Sequence, residues 1–280
     1  MSGLRVGIVG FGRIGAEHAA WLARCEGIGA SAVADGTAAR RELAKARGLG
    51  VHSTVGELLG DQSIDAVLIS TPTAMHSAQA SAALEAGKHV MIEKPMALNL
   101  AEAKQLAETA RKKGKVLSVF HNRRWDADFL AVAKAVRSGV FGRVINVESR
   151  LGQWASCVGP AAVEYRPNWR NEFAFGGGAL FDWGSHFLDQ MLQLMLPARA
   201  VRVFAQLRGN VWSKDCDDFA RVCIDFENGA VGLVEINTTT MQPLGRWHID
   251  GTKGSAQSPA SLTFDVSTWA ELEFVSAAGE

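Results

Sequence analysis

The chain lacks an excess of either charge and a long apolar run, and we expect no leader segment. Its 29 basic and 29 acidic side chains give a formal net charge of zero, which provides no electrostatic reason to bind nucleic acid or a membrane surface. No apolar stretch approaches the roughly 18 residues of a membrane-spanning helix. The first predicted strand begins too near the N-terminus to leave room for a signal peptide. We therefore expect no nucleic-acid partner, no membrane partner and a cytoplasmic location.

Cysteine is also scarce, and its spacing argues against two kinds of site. The four cysteines follow no C-x-x-C pattern, which suits neither a zinc site nor a disulfide framework. A reducing setting is therefore expected, and no metal is predicted. The cysteines are Cys25, Cys157, Cys216 and Cys223.

What the chain does contain is an ordinary globular composition with one conspicuous N-terminal motif. It has 280 residues, of which 48% are hydrophobic and 21% charged, so it is long enough for two domains with a substantial core. The stretch from Leu4 to Gly15, LRVGIVGFGRIG, predicts a buried strand, a tight turn and the start of a helix. In a dinucleotide-binding turn, such glycines permit a sharp reversal, close approach of a pyrophosphate and tight helix packing.

An acidic residue lies where this motif needs one. Asp35 follows Gly15 by 20 residues, at the end of the second predicted strand, where a carboxylate meets the ribose hydroxyls of NAD. The helix N-terminus after the glycines would favour the phosphates. The alternative is a glycine turn without a ligand and an aspartate that caps the next helix.

Up to about His121, short apolar runs alternate with longer helical segments. This alternation predicts a doubly wound parallel sheet, whose carboxyl edge binds ligands. Several predicted helices stop at glycine, which is typical of a left-handed C-cap. The predicted strands are Arg5 to Val9, Ile28 or Ala30 to Ala34, Ala66 to Ser70, His89 to Ile92 and Val116 to Phe120, and the predicted helices are Ala16 to Cys25, Ala38 to Arg47, Ala74 to Ala86 and Leu100 to Lys113.

Beyond His121 the pattern changes to consecutive strands, which predict a mostly antiparallel sheet and a second domain. Asn228-Gly229 predicts a hairpin between the last two strands. The predicted helices are Ala127 to Ser138 and Ala179 to Leu196, and the predicted strands are Val144 to Leu151, Ala200 to Leu207, Ala220 to Phe226 and Val231 to Thr239. The fold class is thus α/β, with a dinucleotide-binding domain at 1–122 and a substrate-binding and oligomerisation α+β domain at 123–280.

Lys94 is the first candidate for chemistry. The tripeptide Glu93-Lys94-Pro95 follows a predicted buried strand at the ligand-binding edge. A lysine there can donate a hydrogen bond to a substrate hydroxyl, and burial beside a cationic ring would disfavour its charge. Pro95 biases Lys94 toward an extended conformation. The alternative is a surface lysine at the end of a strand.

The segment Asp182-Trp183-Gly184-Ser185-His186 is the second candidate. Residues four apart share a helix face, so Asp182 and His186 can point into one cleft, where histidine serves as a general acid or base. Asp189 and Gln190 continue that face, which raises a metal site as an alternative, although no third ligand is evident. Plain helix polarity, with a histidine satisfied in the core, is the other alternative.

Together these motifs resemble the Gfo/Idh/MocA family of NAD(P)-dependent oxidoreductases. The motifs are GFGRIG at 10–15, STPTAMH at 70–76, AGKHVMIEKPMA at 86–97 and GGGALFDWGSHFLDQ at 176–190. HNRRWD at 121–126 is further similar to the branch that contains scyllo-inositol dehydrogenases. The resemblance implies a Rossmann domain followed by an open-faced α/β domain that often oligomerises through its sheet, here as a homodimer or homotetramer.

The resemblance also implies residue roles. Lys94, Asp182 and His186 would be catalytic. The cofactor would be bound by Gly10, Phe11, Gly12, Arg13, Ile14, Gly15, Asp35, Arg40, Ser70, Thr71, Pro72, His76, Glu93 and Lys94. The substrate would be bound by Arg123, Trp125, Trp169, Arg170, Asp182 and His186.

Two departures from the family bear on these expectations. Members usually run well past 300 residues, whereas this chain ends soon after GTKGS at 251–255, so we expect a C-terminus that is shortened. Asp35 would repel a 2′-phosphate and favours NAD, whereas Arg40 and Arg41 could accommodate NADP. We expect NAD, with NADP as the alternative.

The predicted function is reversible hydride transfer between the nicotinamide and a secondary alcohol of a sugar or polyol, such as an inositol. Two alternatives stay open. One is a non-catalytic NAD(P)-binding sensor or subunit that keeps the fold, and the other is an enzyme that uses bound NAD transiently to cleave glycosidic bonds. Neither the identity of the sugar nor the direction of the reaction follows from the sequence.

Overall fold

The computed structural model describes residues 3–157, 169–261 and 269–278. Its internal contacts group the chain into two compact units. The N-terminal unit holds the chain up to Phe120 together with Trp169, Arg170 and residues 174–176, and the C-terminal unit holds the rest of the described chain. The domain limit at 122/123, inferred from the change in sequence pattern, stays a prediction.

The described residues of the N-terminal unit form six strands and five α-helices. The strands are β1 (Leu4–Val9), β2 (Ile28–Ala34), β3 (Gly50–His52), β4 (Ala66–Ile69), β5 (His89–Ile92) and β6 (Leu117–Val119). The helices are α1 (Arg13–Leu22), α2 (Ala38–Lys45), α3 (Val55–Gly60), α4 (Thr73–Glu85) and α5 (Leu100–Lys113). The strands form one parallel sheet in the order β3-β2-β1-β4-β5-β6. This confirms the predicted doubly wound sheet and places its topological switch point between β1 and β4.

The sheet is buried on both faces because its central strands are apolar at successive positions. Ile8 and Leu68 belong to the core on one face, whereas the neighbouring residues Val9 and Ile69 belong to the core on the other. Successive side chains in a strand point to opposite faces, so helices on both sides are needed to cover this sheet. The carboxyl ends of β1, β4 and β5 therefore provide an edge on which polar groups can gather.

The ends of α5 show how local sequence sets a helix boundary. The Asn99 side chain accepts a hydrogen bond from the Glu102 backbone N–H at 3.0 Å, which satisfies one free donor at the helix start. The helix ends at Gly114, whose φ of 63° is left-handed as predicted. β3 and α3 were not predicted, because a three-residue strand and a six-residue helix are too short to show a period.

The C-terminal unit is a sheet covered on one face by helices. Its helices are α6 (Ala127–Ser138) and α7 (Ser185–Met195), and its strands are β7 (Val144–Gly152), β8 (Ala200–Gly209), β9 (Asp217–Phe226), β10 (Val231–Asn237), β11 (Leu244–Gly245), β12 (Trp247–Gly251), β13 (Gly254–Gln257), β14 (Ala260–Ser261) and β15 (Glu273–Ser276). Seven strands form one sheet in the order β15-β13-β12-β7-β10-β9-β8, and β11 pairs with β14.

The pairing in this sheet is antiparallel at every described pair except β7 with β10. The mostly antiparallel sheet is thus confirmed, including the hairpin at Asn228-Gly229 that joins β9 to β10. Phe129 of α6 and Phe187 of α7 pack with Ile224 and Ile236 in a single apolar core. The opposite face carries ion pairs such as Arg221 with Glu235, at 2.5 Å, so it is the open face of the sheet.

The predicted helix from Ala179 to Leu196 is not one uniform α-helix. Its first part, Leu180–Gly184, is a π-helical turn, and α7 begins at Ser185. The Leu180 N–H donates to the Asp217 carboxylate on β9 at 2.7 Å, a tertiary contact that sequence periodicity does not contain. π-turns of this kind are frequent at functional sites.

Two further observations concern the described residues as a whole. Within the ranges given above, no helix is long and apolar enough to cross a membrane. The four cysteines are present as free thiols.

Candidate active site

Two positions of the turn between β1 and α1, Gly10 and Gly15, have no room for a side chain. Gly10 has a φ of 86°, which only glycine adopts readily. A Cβ on Gly15 would collide with the Gly10 carbonyl oxygen and would lie 2.8 Å from Ser70 Oγ. Gly12 is the N-cap residue of α1, and no described side chain caps that helix. The free N–H groups of the first turn are therefore available for an anion.

Asp35 stands at the carboxyl end of β2, where its carboxylate joins three elements. One oxygen accepts the Phe11 N–H at 2.7 Å and the other accepts the Thr37 N–H at 2.8 Å. Arg40 Nη1 lies 3.6 Å from the Asp35 carboxylate. The Arg40 guanidinium also lies 3.8 Å from where a Cβ on Gly12 would be. A carboxylate and a guanidinium thus lie together beside the glycine turn.

The other residues of the glycine motif differ in exposure. Phe11 is buried, at 2% exposure. Arg13 is exposed and pairs with Glu17 of the same helix at 3.2 Å, and Ile14 is half-buried. Among the described contacts, none with another element indicates that Arg13 or Ile14 binds a ligand.

The loop after β4 carries Ser70, Thr71 and Pro72. Ser70 Oγ donates to the Gly10 carbonyl at 2.8 Å, so it holds the β4 loop against the glycine turn. Thr71 Oγ1 donates to Gln79 Oε1 at 2.6 Å, and Pro72 precedes the first residue of α4. The carboxyl ends of β1 and β4 are thereby joined at the switch point.

The loop after β5 carries Glu93 and Lys94. Glu93 Oε1 lies 2.6 Å from His18 Nε2 of α1, and Glu93 Oε2 accepts the Lys94 backbone N–H at 3.2 Å. Lys94 is half-buried. The lysine therefore extends from a turn whose backbone is tied to α1 through a buried histidine and a carboxylate.

In the C-terminal unit, His186 of α7 is buried, with 4% exposure. Its ring packs edge-on against His121 with 6.1 Å between ring centroids. Asp182 lies in the π-helical turn one turn before His186. Asp189, three residues further on, binds Arg124 through hydrogen bonds of 2.7 and 2.6 Å.

The segment after Phe120 lies beside α7. Arg123 donates to Asp126 at 2.8 Å, and its guanidinium lies 5.0 Å from the centre of the Trp183 ring. Burial raises the pKa of Asp126, while the nearby Arg123 acts in the opposite direction. Trp125 is 77% exposed. Arg123 is thus held near the Asp182–His186 segment, whereas Trp125 faces solvent.

A buried arginine supports this arrangement from below. Arg246 is 2% exposed and donates to Gln190 Oε1 of α7 at 2.6 Å and to Ser149 of β7. Its Nε lies 3.4 Å from Asp128 of α6. Burial lowers the pKa of Arg246 to about 9, so it is charged at neutral pH. Gln190 in turn donates to the Arg123 carbonyl at 2.5 Å.

Trp169 and Arg170 lie in the N-terminal unit. The Arg170 guanidinium stacks over the Trp169 ring at 4.3 Å. Residues 158–168, which precede them, lie outside the described residues.

The structure thus gathers the predicted cofactor residues at one edge of the N-terminal sheet, and it gathers Arg123, Asp182 and His186 in the C-terminal unit. Sequence reasoning missed His18, Gln190 as a support of Arg123, and Arg246. His18 lies one helical turn after Gly15, which was a usable signal, but Arg246 offered none. In the part of the chain that the structure describes, no three His, Cys, Asp or Glu side chains cluster as metal ligands would.

Comparison with known families and proteins gives a consistent result. Residues 4–121 match an oxidoreductase family described as having an NAD-binding Rossmann fold. Residues 129–257 match the C-terminal domain of the Gfo/Idh/MocA family. Together the two matches cover most of the chain.

Individual relatives agree with these matches. The chain is 36% identical to the uncharacterized oxidoreductase YdgJ of Escherichia coli (strain K12), over 76% of this chain and 60% of that protein. It is 31% identical to a myo-inositol 2-dehydrogenase of Thermotoga maritima, over 83% of this chain and 68% of that protein. A crystal structure of an NAD-binding protein from Listeria innocua is similar with a TM-score of 0.87 and 33% identity, over 98% of this chain and 76% of that one. The chain spans 55% to 60% of the length of the first curated relatives it matches.

Proposed function

The chain belongs to the Gfo/Idh/MocA family of oxidoreductases, and from that premise we propose that it transfers a hydride between NAD or NADP and a secondary alcohol carbon of a sugar or polyol. The observation that carries the proposal is the position of Lys94. It follows β5 at the carboxyl edge of the parallel sheet, and the glycine turn follows β1 at the same edge. Ligands of open α/β sheets bind at that edge.

The residues of the N-terminal unit fit a dinucleotide. A side chain at Gly15 would collide with the Gly10 carbonyl, so this glycine lets α1 pack closely against the turn. The first N–H groups of α1 would hold the charge of a pyrophosphate. Asp35 and Arg40 would meet the adenosine ribose. When bound, the nicotinamide supplies the hydride acceptor or donor.

The substrate chemistry is proposed for three side chains. Lys94 donates a hydrogen bond to the reacting oxygen and stabilises the negative charge that develops there. His186 removes the hydroxyl proton in the oxidation direction, and it returns the proton in reduction. Asp182 accepts a hydrogen bond from a neighbouring hydroxyl and fixes the orientation of the substrate.

A sugar or polyol, such as an inositol, is the proposed substrate class. Arg123 is the best placed further contact. Its guanidinium lies beside Trp183, which is in the segment from Asp182 to His186, and its carbonyl accepts a hydrogen bond from Gln190 of α7. The myo-inositol 2-dehydrogenase among the relatives supports the same class. Trp169, Arg170 and Trp125 stay candidates for this role.

Absorbance of reduced nicotinamide tests the proposal. Purified protein is mixed with NAD or NADP and a panel of inositols and aldoses, and the wild type is compared with Lys94→Ala and His186→Ala. We expect cofactor reduction with at least one polyol, a loss of kcat of at least about 100-fold in each variant, and a cofactor Kd within a few-fold of wild type. Lys112→Ala, at an exposed position on α5, is the matched control and should keep full activity.

The outcomes separate the competing functions. Unchanged turnover in Lys94→Ala would remove that residue from the mechanism. NAD binding without turnover of any polyol would favour a sensor or subunit. Tightly retained cofactor with glycoside cleavage and no net NADH would favour the glycosidase.

Two further expectations belong to this proposal. Assembly as a homodimer or homotetramer is tested by light scattering of the purified chain. A cytoplasmic location fits the four free cysteines and is tested by fractionating cells that express the native gene.

A further inference from the structure

His76 is a buried histidine that the proposed chemistry does not use. It lies in the first turn of α4 and is 1% exposed. Its Nδ1 lies 2.8 Å from the Pro95 carbonyl oxygen, and its Nε2 lies 2.8 Å from the Thr71 carbonyl oxygen. The ring therefore bridges the loop after β4 and the loop after β5, which are the two loops that carry the predicted cofactor and catalytic residues.

Both partners of this ring are acceptors. A carbonyl oxygen has lone pairs and no proton to give, whereas a neutral imidazole has one N–H donor and one nitrogen lone pair. A neutral His76 can thus donate to only one of the two carbonyls, and its other nitrogen would place a lone pair against the second. Only the protonated ring, with two N–H donors, satisfies both 2.8 Å contacts.

The charges around the ring act in opposite directions. Burial lowers the pKa of His76 from its ordinary value, and the nearby Lys94 ammonium lowers it as well. The two carbonyls and the Glu93 carboxylate raise it. Because burial is the largest of these effects, the doubly donating form is favoured on the acid side of neutrality, and one of its two bonds is lost as the pH rises.

We propose that His76 is a positioning residue for Lys94, whose protonated imidazole donates to Thr71 and Pro95 at once and so fixes the Glu93–Pro95 turn against the loop after β4. The importance of Lys94 in this statement rests on the proposed function. The same turn is held from another helix, because His18 of α1 lies 2.6 Å from Glu93. The side chain of Glu93 and the backbone of Pro95 are therefore each anchored by a histidine, and Lys94 lies between them.

The charge of His76 can be measured without any activity. We would record ¹H–¹⁵N spectra of the imidazole rings of the intact chain as a function of pH, with His76 assigned by the loss of its signals in His76→Gln. The expected result is two slowly exchanging ring N–H signals at the acidic end of the folded range. One signal should be lost as the pH rises, in step with shifts of the Lys94 and Met96 backbone amides. A single N–H at every pH, or turn amides that ignore the titration, would overturn the proposal.

Kinetics provide the second test. At the acidic end of the folded range, the wild-type ring donates to both carbonyls, whereas the His76→Gln side chain offers a donor to one carbonyl only. We expect kcat at that pH to fall about 10- to 100-fold in the variant, as small misplacements of a reacting group do, with a cofactor Kd close to wild type. His89→Gln is the matched control, because His89 lies at the opposite end of β5 and accepts the Val116 N–H at 3.0 Å. An unchanged kcat in His76→Gln contradicts the proposal.

The two tests keep this proposal distinct from the proposed function. If the wild type reduces no cofactor with any polyol, the dehydrogenase assignment fails while the ring titration still decides whether His76 holds the turn. If the wild type is active and the ring carries one N–H proton at every pH, the proposal for His76 fails and the dehydrogenase assignment is unaffected.

Discussion

We expect cofactor choice to depend on Asp35, directly after β2, and on Arg40 of α2. Asp35 already accepts hydrogen bonds from Phe11 and Thr37, and a carboxylate with four lone-pair positions can still accept from a ribose hydroxyl. We expect Asp35→Asn, which keeps one acceptor and loses the charge, to raise the Kd of NAD by about 10-fold, the equivalent of about 1.4 kcal/mol. The Kd of NADP should rise less or fall, because the carboxylate would repel a 2′-phosphate. Fluorescence titration with both cofactors measures the ratio.

A variant of Arg40 should have the opposite effect on the preference between NAD and NADP. Arg40→Ala removes the guanidinium that lies 3.6 Å from Asp35 and should weaken NADP more than NAD. Asp65→Asn, at a carboxylate that pairs with Arg5 away from the turn, is the control and should change neither. Equal effects of Asp35→Asn on the two cofactors would refute the ribose assignment.

At the residue scale, the sequence revealed positions but not the partners of side chains. The spacing from Gly15 drew attention to Asp35, and the predicted strand that precedes Lys94 drew attention to that lysine. It could not show that Asp35 also ties the glycine turn to α2, or that both nitrogens of His76 face carbonyls, because those contacts join segments that are distant in the chain. The resemblance placed His76 among cofactor residues, and the structure shows its ring engaged with two backbone carbonyls.

At the scale of elements, Arg246 joins α6, α7 and β7 of the C-terminal unit. Replacing it with methionine keeps much of the volume but leaves the Asp128 carboxylate without its cation in a buried site. Because breaking a buried ion pair from one side costs about 3–5 kcal/mol, we expect Arg246→Met to lower the free energy of unfolding by that amount. Urea denaturation followed by tryptophan fluorescence measures the change.

A surface pair provides the comparison. Arg202 on β8 binds Asp225 at 2.5 Å, but its side chain is 81% exposed, so Arg202→Met should change the stability by less than about 1 kcal/mol. Similar costs for Arg246→Met and Arg202→Met would show that the buried network does not hold α7 in place.

The elements themselves were predictable to the extent that they repeat a pattern. The bounds of β5, α5 and α6 agree with the prediction, because apolar periodicity and cap residues determine them. The π-helical turn at Leu180–Gly184 was not predictable, since it depends on the tertiary contact from Leu180 to Asp217. The parallel pairing of β7 with β10 was not predictable either, because the sequence of a strand does not specify which distant strand it pairs with.

For the molecule as a whole, the alternating N-terminal half and the strand-rich C-terminal half predicted the two architectures that the structure contains. Each unit has apolar cores of its own. Which segments belong to which unit was harder to predict from the sequence. Trp169 and Arg170, expected with the substrate domain, belong to the N-terminal unit. Composition changes gradually along a chain, whereas packing can return a short segment to an earlier unit.

NAD should stabilise the whole chain through its N-terminal unit. A ligand that binds only the folded state stabilises it by about 2.7 kcal/mol at 100 times its Kd, so Tm should rise with NAD concentration. The gain should be smaller in Asp35→Asn at the same NAD concentration, because its Kd is higher. Hydrogen exchange then locates the effect: we expect added protection at the amides of Gly10 to Gly15 and of α1. Protection confined to the C-terminal strands would contradict the assignment of the glycine turn as the cofactor site.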